Sequence, residues 1–209
     1  LTRAQNATKN GKFKREIAPV TVKGRKGDTI VDQDELPRTA MPDKIPTLRP
    51  AFSKDGTVTA ANASAISDGA AAMVLMRESE AKKRGLTPIA KIVSSSSHAH
   101  EPEYFTTAPV PAMKKALEKA GWSIEDVDLW EVNEAFAVVP MIAMKELGIS
   151  HDKLNVHGGA CAMGHPIGAS GARVIITLLA AMEDRGVKKG MASLCIGGGE
   201  GIAMALERY

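Results

Sequence analysis

The chain has 209 residues, of which 44% are hydrophobic and only 4% aromatic, and its formal net charge is +3. This length suits one large domain or two small ones, with enough aliphatic residues for a buried core. The small net charge argues against a nucleic-acid partner, because domains that bind nucleic acid usually carry a basic patch or stripe. No segment reaches the ~18 uninterrupted apolar residues expected of a membrane span. A signal peptide is not expected either, because residues 1–16 are polar and basic throughout.

The first 66 residues predict a loop-rich segment with short strands. Weak alternation from Lys12 to Val22 gives way to the basic run Lys23-Gly24-Arg25-Lys26, which is typical of a solvated loop, and then to several prolines. The segment lacks the periodicity needed to form a core alone. The chain starts without a methionine, in a sequence typical of the middle of a helix. We therefore expect these residues to belong to a longer protein.

From residue 67 onward, predicted strands and helices alternate. The predicted strands are 70–76, 89–94, 127–132, 191–196 and 202–206, and the predicted helices are 78–84, 109–120, 134–147 and 170–185. The helices rest on apolar positions at helical spacing and on the glycines that follow them. Alternation of this kind predicts an α/β fold, with helices packed on the faces of a sheet.

Four stretches beside these elements are candidates for chemistry: residues 62–69, 133–137, 155–173 and 195–201. All four lie at turns next to strands or helix starts, where sites on such a sheet tend to lie. The two cysteines, Cys161 and Cys195, give no disulfide framework, which favours a reduced, cytoplasmic location. The histidines show no recognisable metal-ligand spacing, so we expect no metal site.

Cys195 ends an apolar strand and is followed by three glycines, Gly197 to Gly199. Glycines expose backbone N–H groups, which can stabilise an oxyanion. A buried cysteine before an ordinary hairpin remains the alternative interpretation. A dinucleotide-binding loop is excluded, because too few residues follow Gly201 for a crossover helix and a second strand.

His165 lies in a glycine-rich turn just before a predicted helix. The free N–H groups and partial positive charge of a helix start favour a neutral imidazole or a nearby thiolate, and histidine suits proton transfer near neutral pH. It could instead only cap the helix. Asn133 could be an N-cap or could hold a water or a substrate carbonyl, while Glu134 in a first turn would suit the helix dipole.

Together these motifs resemble the thiolases, and the acetyl-CoA acetyltransferases among them most closely. The resemblance covers essentially the whole chain and rests on three motifs in order: Asn-Glu-Ala-Phe-Ala at 133–137, the long signature at 155–173, and the cysteine motif at 195–201. It implies a thiolase-like layered α/β fold of two similar halves, each a mixed sheet with helices, plus an inserted loop domain. Residues 1–66 would be the later part of the loop domain, and residues 67–209 the C-terminal core domain.

The resemblance also implies a two-step acyl exchange, either the reversible condensation of two acetyl-CoA to acetoacetyl-CoA and CoA or the thiolytic cleavage of a 3-ketoacyl-CoA. His165 would activate a nucleophilic cysteine and help to stabilise the thioester oxygen. Cys195 would move the α-proton of acetyl-CoA. Asn133 would hold a water that joins His165 in one oxyanion hole, and the amide of Gly197 would serve a second.

Coenzyme A contacts are implied in the same way. Arg38 matches a position expected to meet the nucleotide end, and Phe136 one near the thioester. Phe52, Ala60 and Ser64 match the groove along the pantetheine. The coenzyme A thioester is a substrate, and no separate cofactor is implied.

One departure from the family pattern is the absence of any cysteine before Cys161. The family nucleophile lies in the N-terminal half, so the resemblance implies that this chain lacks it and is inactive alone. Cys161 is predicted to be a buried packing residue. The implied partners are the missing N-terminal half and further copies of the protein, as a dimer or tetramer. Two alternatives stay open: a non-catalytic thiolase-like half, and a ketoacyl synthase relative, which would carry histidine or asparagine where Cys195 stands.

Overall fold

The computed structural model describes the whole chain, Leu1–Tyr209. Its N-terminal third consists of short elements. Helix α1 (Thr2–Lys9) precedes a two-stranded antiparallel hairpin of β1 (Val20–Val22) and β2 (Thr29–Val31), which is followed by the short helix α2 (Glu35–Thr39). Both hairpin strands are exposed along their whole length. The prediction of a loop-rich segment with short strands is confirmed.

The rest of the chain is organised around one four-stranded mixed sheet. Its strands are β3 (Ala90–Ala99), β4 (Leu129–Val132), β5 (Lys189–Ile196) and β6 (Glu200–Arg208). The order across the sheet is β3-β6-β5-β4. Strands β4 and β5 are parallel, whereas β6 is antiparallel to both of its neighbours. The strands predicted at 191–196 and 202–206 are confirmed as β5 and β6, which form an antiparallel hairpin.

The helices cover both faces of this sheet, as the alternation predicted. The remaining helices are α3 (Glu78–Lys83), α4 (Pro109–Ala120), α5 (Val138–Leu147), α6 (Ala160–Met163) and α7 (Ser170–Asp184). Successive strand residues point to opposite faces, so Trp130 packs with α4 and α5 while Leu129 packs with α7. The layers are therefore α4 with α5, then the sheet, then α7.

Helices α4 and α7 agree closely with their predicted bounds. Met113 and Leu117 of α4 are buried, as are Leu178 and Met182 of α7. Helix α4 ends at Gly121, whose φ of 67° is left-handed, a conformation in which glycine carries no steric penalty. Apolar spacing and a terminal glycine were sufficient signals for these two helices.

The strand predicted at 70–76 is wrong. The segment is apolar, but Val74 is 84% exposed and Leu75 is 70% exposed, and no strand pairs with it. An apolar run becomes a strand only when a neighbouring strand takes its backbone hydrogen bonds. Here the four strands of the sheet pair among themselves and leave this segment outside.

The helix predicted at 134–147 begins later, at Val138. The reason is that the preceding residues pair with a distant segment of chain. The carbonyl oxygen of Ala135 accepts from the Ser64 N–H, and the N–H of Ala137 donates to the carbonyl oxygen of Asn62. These bonds hold residues 135–137 against the 62–66 segment.

No helix in the structure is long and apolar enough to cross a membrane.

Candidate active site

The four candidate stretches converge on the edge of the sheet where β4 and β5 end. Asn133 directly follows β4, and Cys195 is the second-last residue of β5. Because the two strands are parallel, their carboxyl ends lie at the same edge. The Asn133 N–H donates to the carbonyl oxygen of Ser193 at 2.9 Å, which ties the two strand ends together.

His165 is brought to this edge by backbone and side-chain bonds. Its N–H donates to the carbonyl oxygen of Ala65 at 2.8 Å. Its Nδ1 lies 2.6 Å from the Ser170 hydroxyl, and its Nε2 lies 3.3 Å from the Asn133 Nδ2. Partial burial lowers the pKa of His165, and the positive charge of Arg173 lowers it further. The imidazole is therefore neutral near pH 7, with one nitrogen able to accept a proton.

Asn133 does not cap a helix, contrary to one of the two roles that its sequence allowed. It is 1% exposed, and its Oδ1 accepts from Arg173 Nη2 at 3.4 Å. Its amide group thus lies between Arg173 and His165. This placement leaves the other role, as a hydrogen-bond donor beside the imidazole.

Glu134 is also not in the first turn of a helix, so the predicted interaction with a helix dipole is wrong. Its Oε2 accepts from the N–H of Cys161 at 3.1 Å, and its Oε1 accepts from Asn155 Nδ2 at 3.1 Å. The carboxylate instead joins the turn after β4 to the start of α6. Through these two bonds, the Glu134 side chain links the residue after Asn133 to Asn155 and Cys161.

Asn155 is a supporting residue that the sequence did not single out. Its Oδ1 accepts from the Val132 N–H at 2.9 Å, and its Nδ2 donates to the Val132 carbonyl oxygen at 2.8 Å. The side chain thus pairs with the backbone N–H and carbonyl oxygen at the end of β4, as a neighbouring strand would. Asn155 has a φ of 47°, the one positive value at a non-glycine residue. Asparagine tolerates this conformation better than most residues, which was the available signal.

Cys195 is buried, at 7% exposed, and packs in the core cluster against which Phe105 and Phe136 lie. Burial raises the pKa of its thiol to about 11. The side-chain hydrogen bonds of His165 go to Asn133 and Ser170, and none joins it to Cys195. The thiol is protonated at neutral pH.

The turn after Cys195 leaves one backbone donor free. The N–H of Gly197 makes no hydrogen bond, and nothing crowds its Cα. Gly199 closes the turn with a φ of 98° and an N–H bond to the Ile196 carbonyl oxygen at 3.1 Å. A free amide beside a thiol can donate to a developing negative charge.

Three of the predicted coenzyme A residues lie together. Ser64 donates its hydroxyl hydrogen to the Ala135 carbonyl oxygen at 2.9 Å, and Ala63 forms a β-bridge with Phe136. The rings of Phe52 and Phe136 are 6.5 Å apart, and Phe52 is 78% exposed. The 62–66 segment therefore runs from this aromatic pair to His165.

The other two predicted coenzyme A residues are exposed but do not join this group by a hydrogen bond. Ala60 lies in a turn four residues before Ser64. Arg38 lies on the exposed side of α2 and makes no hydrogen bond. Helix α2 packs against α6, the helix just before His165.

Cys161 is partly exposed, so its predicted full burial is wrong. Its Sγ lies 3.5 Å from the Glu134 carbonyl oxygen, and its pKa is raised to about 12 by burial and by the Glu134 carboxylate. Such a thiol is a poor nucleophile at neutral pH. No group of three or more His, Cys, Asp or Glu side chains is placed to hold a metal ion.

Comparison with known proteins identifies the class of this fold and site. Residues 1–79 match the family profile described as "Thiolase, N-terminal domain", and residues 86–208 match "Thiolase, C-terminal domain". The chain belongs to the thiolase family. Its resemblance to that family, inferred from three motifs, is thereby confirmed.

Individual relatives agree with this assignment. An acetyl-CoA acetyltransferase of Rhizobium meliloti (strain 1021) is 56% identical over 207 residues, which are 99% of this chain and 53% of the relative. The crystal structure of the Bacillus anthracis acetyl-CoA acetyltransferase superposes with a TM-score of 0.96 at 45% identity, covering 100% of this chain and 53% of that one. The Acat5 thiolase of Ascaris suum, solved in complex with coenzyme A, gives a TM-score of 0.90 at 42% identity, with the same coverage of both chains. The chain thus spans about half the length of the relatives it matches.

Proposed function

We propose that this chain contributes the proton-transfer half of the active site of an acetyl-CoA C-acetyltransferase. The reaction is the reversible condensation of two acetyl-CoA to acetoacetyl-CoA and free CoA, or its reverse, thiolysis. The observation that carries the proposal is the hydrogen-bonded pair of His165 and Asn133 at the strand edge that also holds Cys195. The names of the relatives, which are acetyl-CoA acetyltransferases, support the substrate class.

The first step is acyl transfer to a thiol. A neutral His165 accepts the proton of a nucleophilic thiol, the thiolate attacks the acyl carbon, and CoA leaves as a thiol after taking up a proton. Once protonated at Nε2, His165 donates directly to the thioester oxygen, and the amide of Asn133 holds a water that donates to the same oxygen. Such fixed donors stabilise the negative charge that develops on this oxygen in the transition state.

We assign the acyl-carrying thiol to neither cysteine of this chain. Cys161 has a pKa raised to about 12, and its Sγ is turned to the Glu134 carbonyl oxygen. Cys195 is needed for the second step, because one sulfur cannot hold the acyl group and move a proton at the same time. A thiol in another part of the protein, the N-terminal half of the family pattern, is the proposed nucleophile.

The second step forms or breaks the carbon–carbon bond. In condensation, Cys195 as thiolate takes the α-proton of a second acetyl-CoA, and the resulting enolate attacks the acyl group and expels the nucleophilic sulfur as a thiolate. Transfer of the proton from the Cys195 thiol to that thiolate restores the starting state. In thiolysis, Cys195 as thiol returns that proton to the departing acetyl-CoA enolate. The raised pKa of Cys195 keeps it as a thiol, which suits the proton donation that thiolysis needs. The free N–H of Gly197 is the proposed donor to the enolate oxygen.

Coenzyme A is proposed to lie along the 62–66 segment. Phe52 and Phe136 offer an aromatic wall for the pantetheine, and Ser64 lies beside them. The exposed Arg38 offers positive charge for the nucleotide phosphates, and Ala60 leaves room where a larger side chain would not. We propose a cytoplasmic protein that assembles as a dimer or tetramer. The coenzyme A thioester is proposed as a substrate, and no metal or cofactor is proposed.

The experiment compares two half-reactions in the full-length protein. Cys195→Ala should reduce the rates of condensation and thiolysis by at least about 10²-fold, because general acid–base catalysis contributes about that much or more. Transfer of a radiolabelled acetyl group from acetyl-CoA onto the protein should continue in part. His165→Ala should reduce both. Equal loss of labelling and condensation in Cys195→Ala would contradict the division of labour, and condensation that survives it would favour a carrier-protein-dependent synthase or a non-catalytic role for this half.

A further inference from the structure

The first turn of α7 places two side chains behind the catalytic pair. Ser170 and Arg173 are three residues apart and therefore share a face of the helix. Ser170 contacts His165, and Arg173 contacts Asn133. The proposed mechanism gives neither α7 residue a role.

We propose that Ser170 and Arg173 are positioning residues, which fix the tautomer of His165 and the amide orientation of Asn133. The inference rests on the proposed function for its catalytic meaning. Its structural content follows from a single chain of hydrogen bonds. The chain runs Arg173, Asn133, His165, Ser170 and the carbonyl oxygen of Pro166.

The direction of every bond in this chain is determined by its two ends. A guanidinium can only donate, so the Asn133 atom facing Arg173 Nη2 must be the oxygen, and Nδ2 must face His165. A carbonyl oxygen can only accept, so the Ser170 hydroxyl donates to Pro166 at 3.0 Å and accepts from His165 at 2.6 Å. His165 therefore carries its proton on Nδ1.

The same arrangement leaves Nε2 of His165 unprotonated, as the acceptor of the Asn133 amide and the base on the side of the site. Reversing any one bond would set two donors or two acceptors against each other. The opposite tautomer would point an Nε2–H at the Asn133 Nδ2, and turning the amide to accept it would set its NH₂ against Arg173. The hydrogen-bond partner of one imidazole nitrogen thus decides which nitrogen can act.

Arg173 is well suited to the end of this chain. The only hydrogen bond of its guanidinium in the structure goes to Asn133, and its Nε and Nη1 are buried without a partner. Arg173 lines a cavity of about 330 Å³ together with Glu16 and Thr177. The positive charge of Arg173 opposes the rise that burial causes in the pKa values of Glu131 and Glu16, so both carboxyl groups lie within reach of its charge.

Ser170 is equally constrained. It is 0% exposed, and its hydroxyl has no other partner than His165 and Pro166. An alanine at this position would leave the His165 Nδ1–H buried without an acceptor. The Nδ1–H tautomer would then be favoured only by the Asn133 amide at Nε2, and its preference would weaken.

The test reads the tautomer directly, without measuring activity. The full-length protein is labelled with ¹⁵N-histidine, and two-bond ¹H–¹⁵N spectra distinguish protonated from unprotonated ring nitrogens. His165→Gln assigns the resonance among the five histidines of this chain. The wild-type spectrum should show Nδ1–H and a bare Nε2 at pH 7.5.

Ser170→Ala and Arg173→Met should each move the two ¹⁵N shifts of His165 toward one another, as a mixed tautomer requires. Arg173→Lys keeps a donor and should restore part of the wild-type pattern. Ser94→Ala is the matched control, because Ser94 is also buried and donates to a backbone carbonyl, that of Ala116. It should leave the His165 signals unchanged.

Activity provides a second readout. Ser170→Ala should lower kcat by about 10- to 100-fold with KM changed less than about twofold, because a wrong tautomer removes the base without removing the substrate site. An Nε2–H tautomer in the wild type, or unchanged His165 shifts in both Ser170→Ala and Arg173→Met, would overturn the proposal. If the predicted tautomers appear but the protein transfers no acyl group, the positioning chain is supported and the proposed function fails separately.

Discussion

The hydroxyl of Ser64 donates to the carbonyl oxygen of Ala135 at 2.9 Å, across 71 residues of sequence. Because its hydrogen is committed to Ala135, this hydroxyl can only accept from a ligand. A pantetheine amide N–H is the fitting donor in the proposed groove. One side chain thus joins the N-terminal third of the chain to the turn that follows β4.

Ser64→Ala should therefore raise the KM for coenzyme A several-fold and leave kcat nearly unchanged. It should also lower the free energy of unfolding by about 1 kcal/mol, the net value of one hydrogen bond. Steady-state kinetics and urea denaturation of the full-length protein measure the two effects. Ser94→Ala is the control, because it should cost similar stability without changing KM; an unchanged KM in Ser64→Ala would remove Ser64 from the coenzyme A groove.

Both cysteines should react slowly with iodoacetamide at neutral pH. The pKa values of about 11 for Cys195 and about 12 for Cys161 imply that roughly one thiol in 10⁴ or fewer is ionised at pH 7. Labelling should accelerate about tenfold per pH unit from pH 7 to pH 9, as measured by peptide mass spectrometry. Urea-unfolded protein is the control, and its two cysteines should label like free cysteine. Native labelling at that same rate at pH 7 would show that the thiol pKa is not raised.

Glu131 should make the protein less stable as the pH rises. Complete burial raises its pKa from 4.5 to about 8, with Glu134 and Glu16 adding to the rise and Arg173 opposing it. Between those two pH values the folded protein holds a proton that the unfolded chain has released. The free energy of unfolding therefore falls with pH in this window, by up to about 1.4 kcal/mol per unit from this site.

Replacing Glu131 with Gln should remove that contribution and flatten the profile. Urea denaturation at pH 5, 6, 7 and 8 measures it, with the exposed Glu118→Gln as the control that should keep the wild-type slope. An identical slope in Glu131→Gln would mean that the carboxyl is ionised in the folded protein.

Gly199→Ala should be more harmful than most glycine substitutions. Gly199 has a φ of 98°, and an added Cβ would overlap the carbonyl oxygen of His100. We expect a loss of at least about 2 kcal/mol in stability, together with a fall in kcat as the Gly197 amide moves. Gly186→Ala is the matched control, because Gly186 has a φ of 65° and no neighbour within 4 Å of the new Cβ. It should cost about 1 kcal/mol and leave kcat unchanged; equal effects of the two would argue against the steric account.

The 209 residues alone should show no thiolase turnover. The thiol pKa values of Cys161 and Cys195 are raised to about 12 and about 11. The apolar side chains of Ile66 and Val74 are 87% and 84% exposed. Exposed apolar surface of this kind favours association. Assay of acetoacetyl-CoA cleavage with coenzyme A, together with light scattering, tests both statements. Turnover equal to that of the full-length protein would mean that a cysteine in this chain carries the acyl group.

Much of the fold was predictable because its signals are local. The bounds of α4 and α7 follow from apolar spacing and a terminal residue, and the hairpin of β5 and β6 from a glycine turn between two apolar runs. The strand predicted at 70–76 failed because pairing depends on a partner strand that a local pattern cannot reveal. The predicted start of α5 at residue 134 was wrong for a related reason, because Asn62 and Ser64 take the backbone hydrogen bonds of residues 135–137.

The sequence by itself determined the family, because three motifs in order are highly specific, and it supplied the candidate site residues. It could not determine what each side chain contacts. Only the tertiary structure decided that Asn133 faces His165 instead of capping a helix, and that Glu134 supports Cys161. The physical reason is that hydrogen-bond direction and burial arise where distant segments meet, and these set the tautomer of His165 and the raised pKa of Cys195.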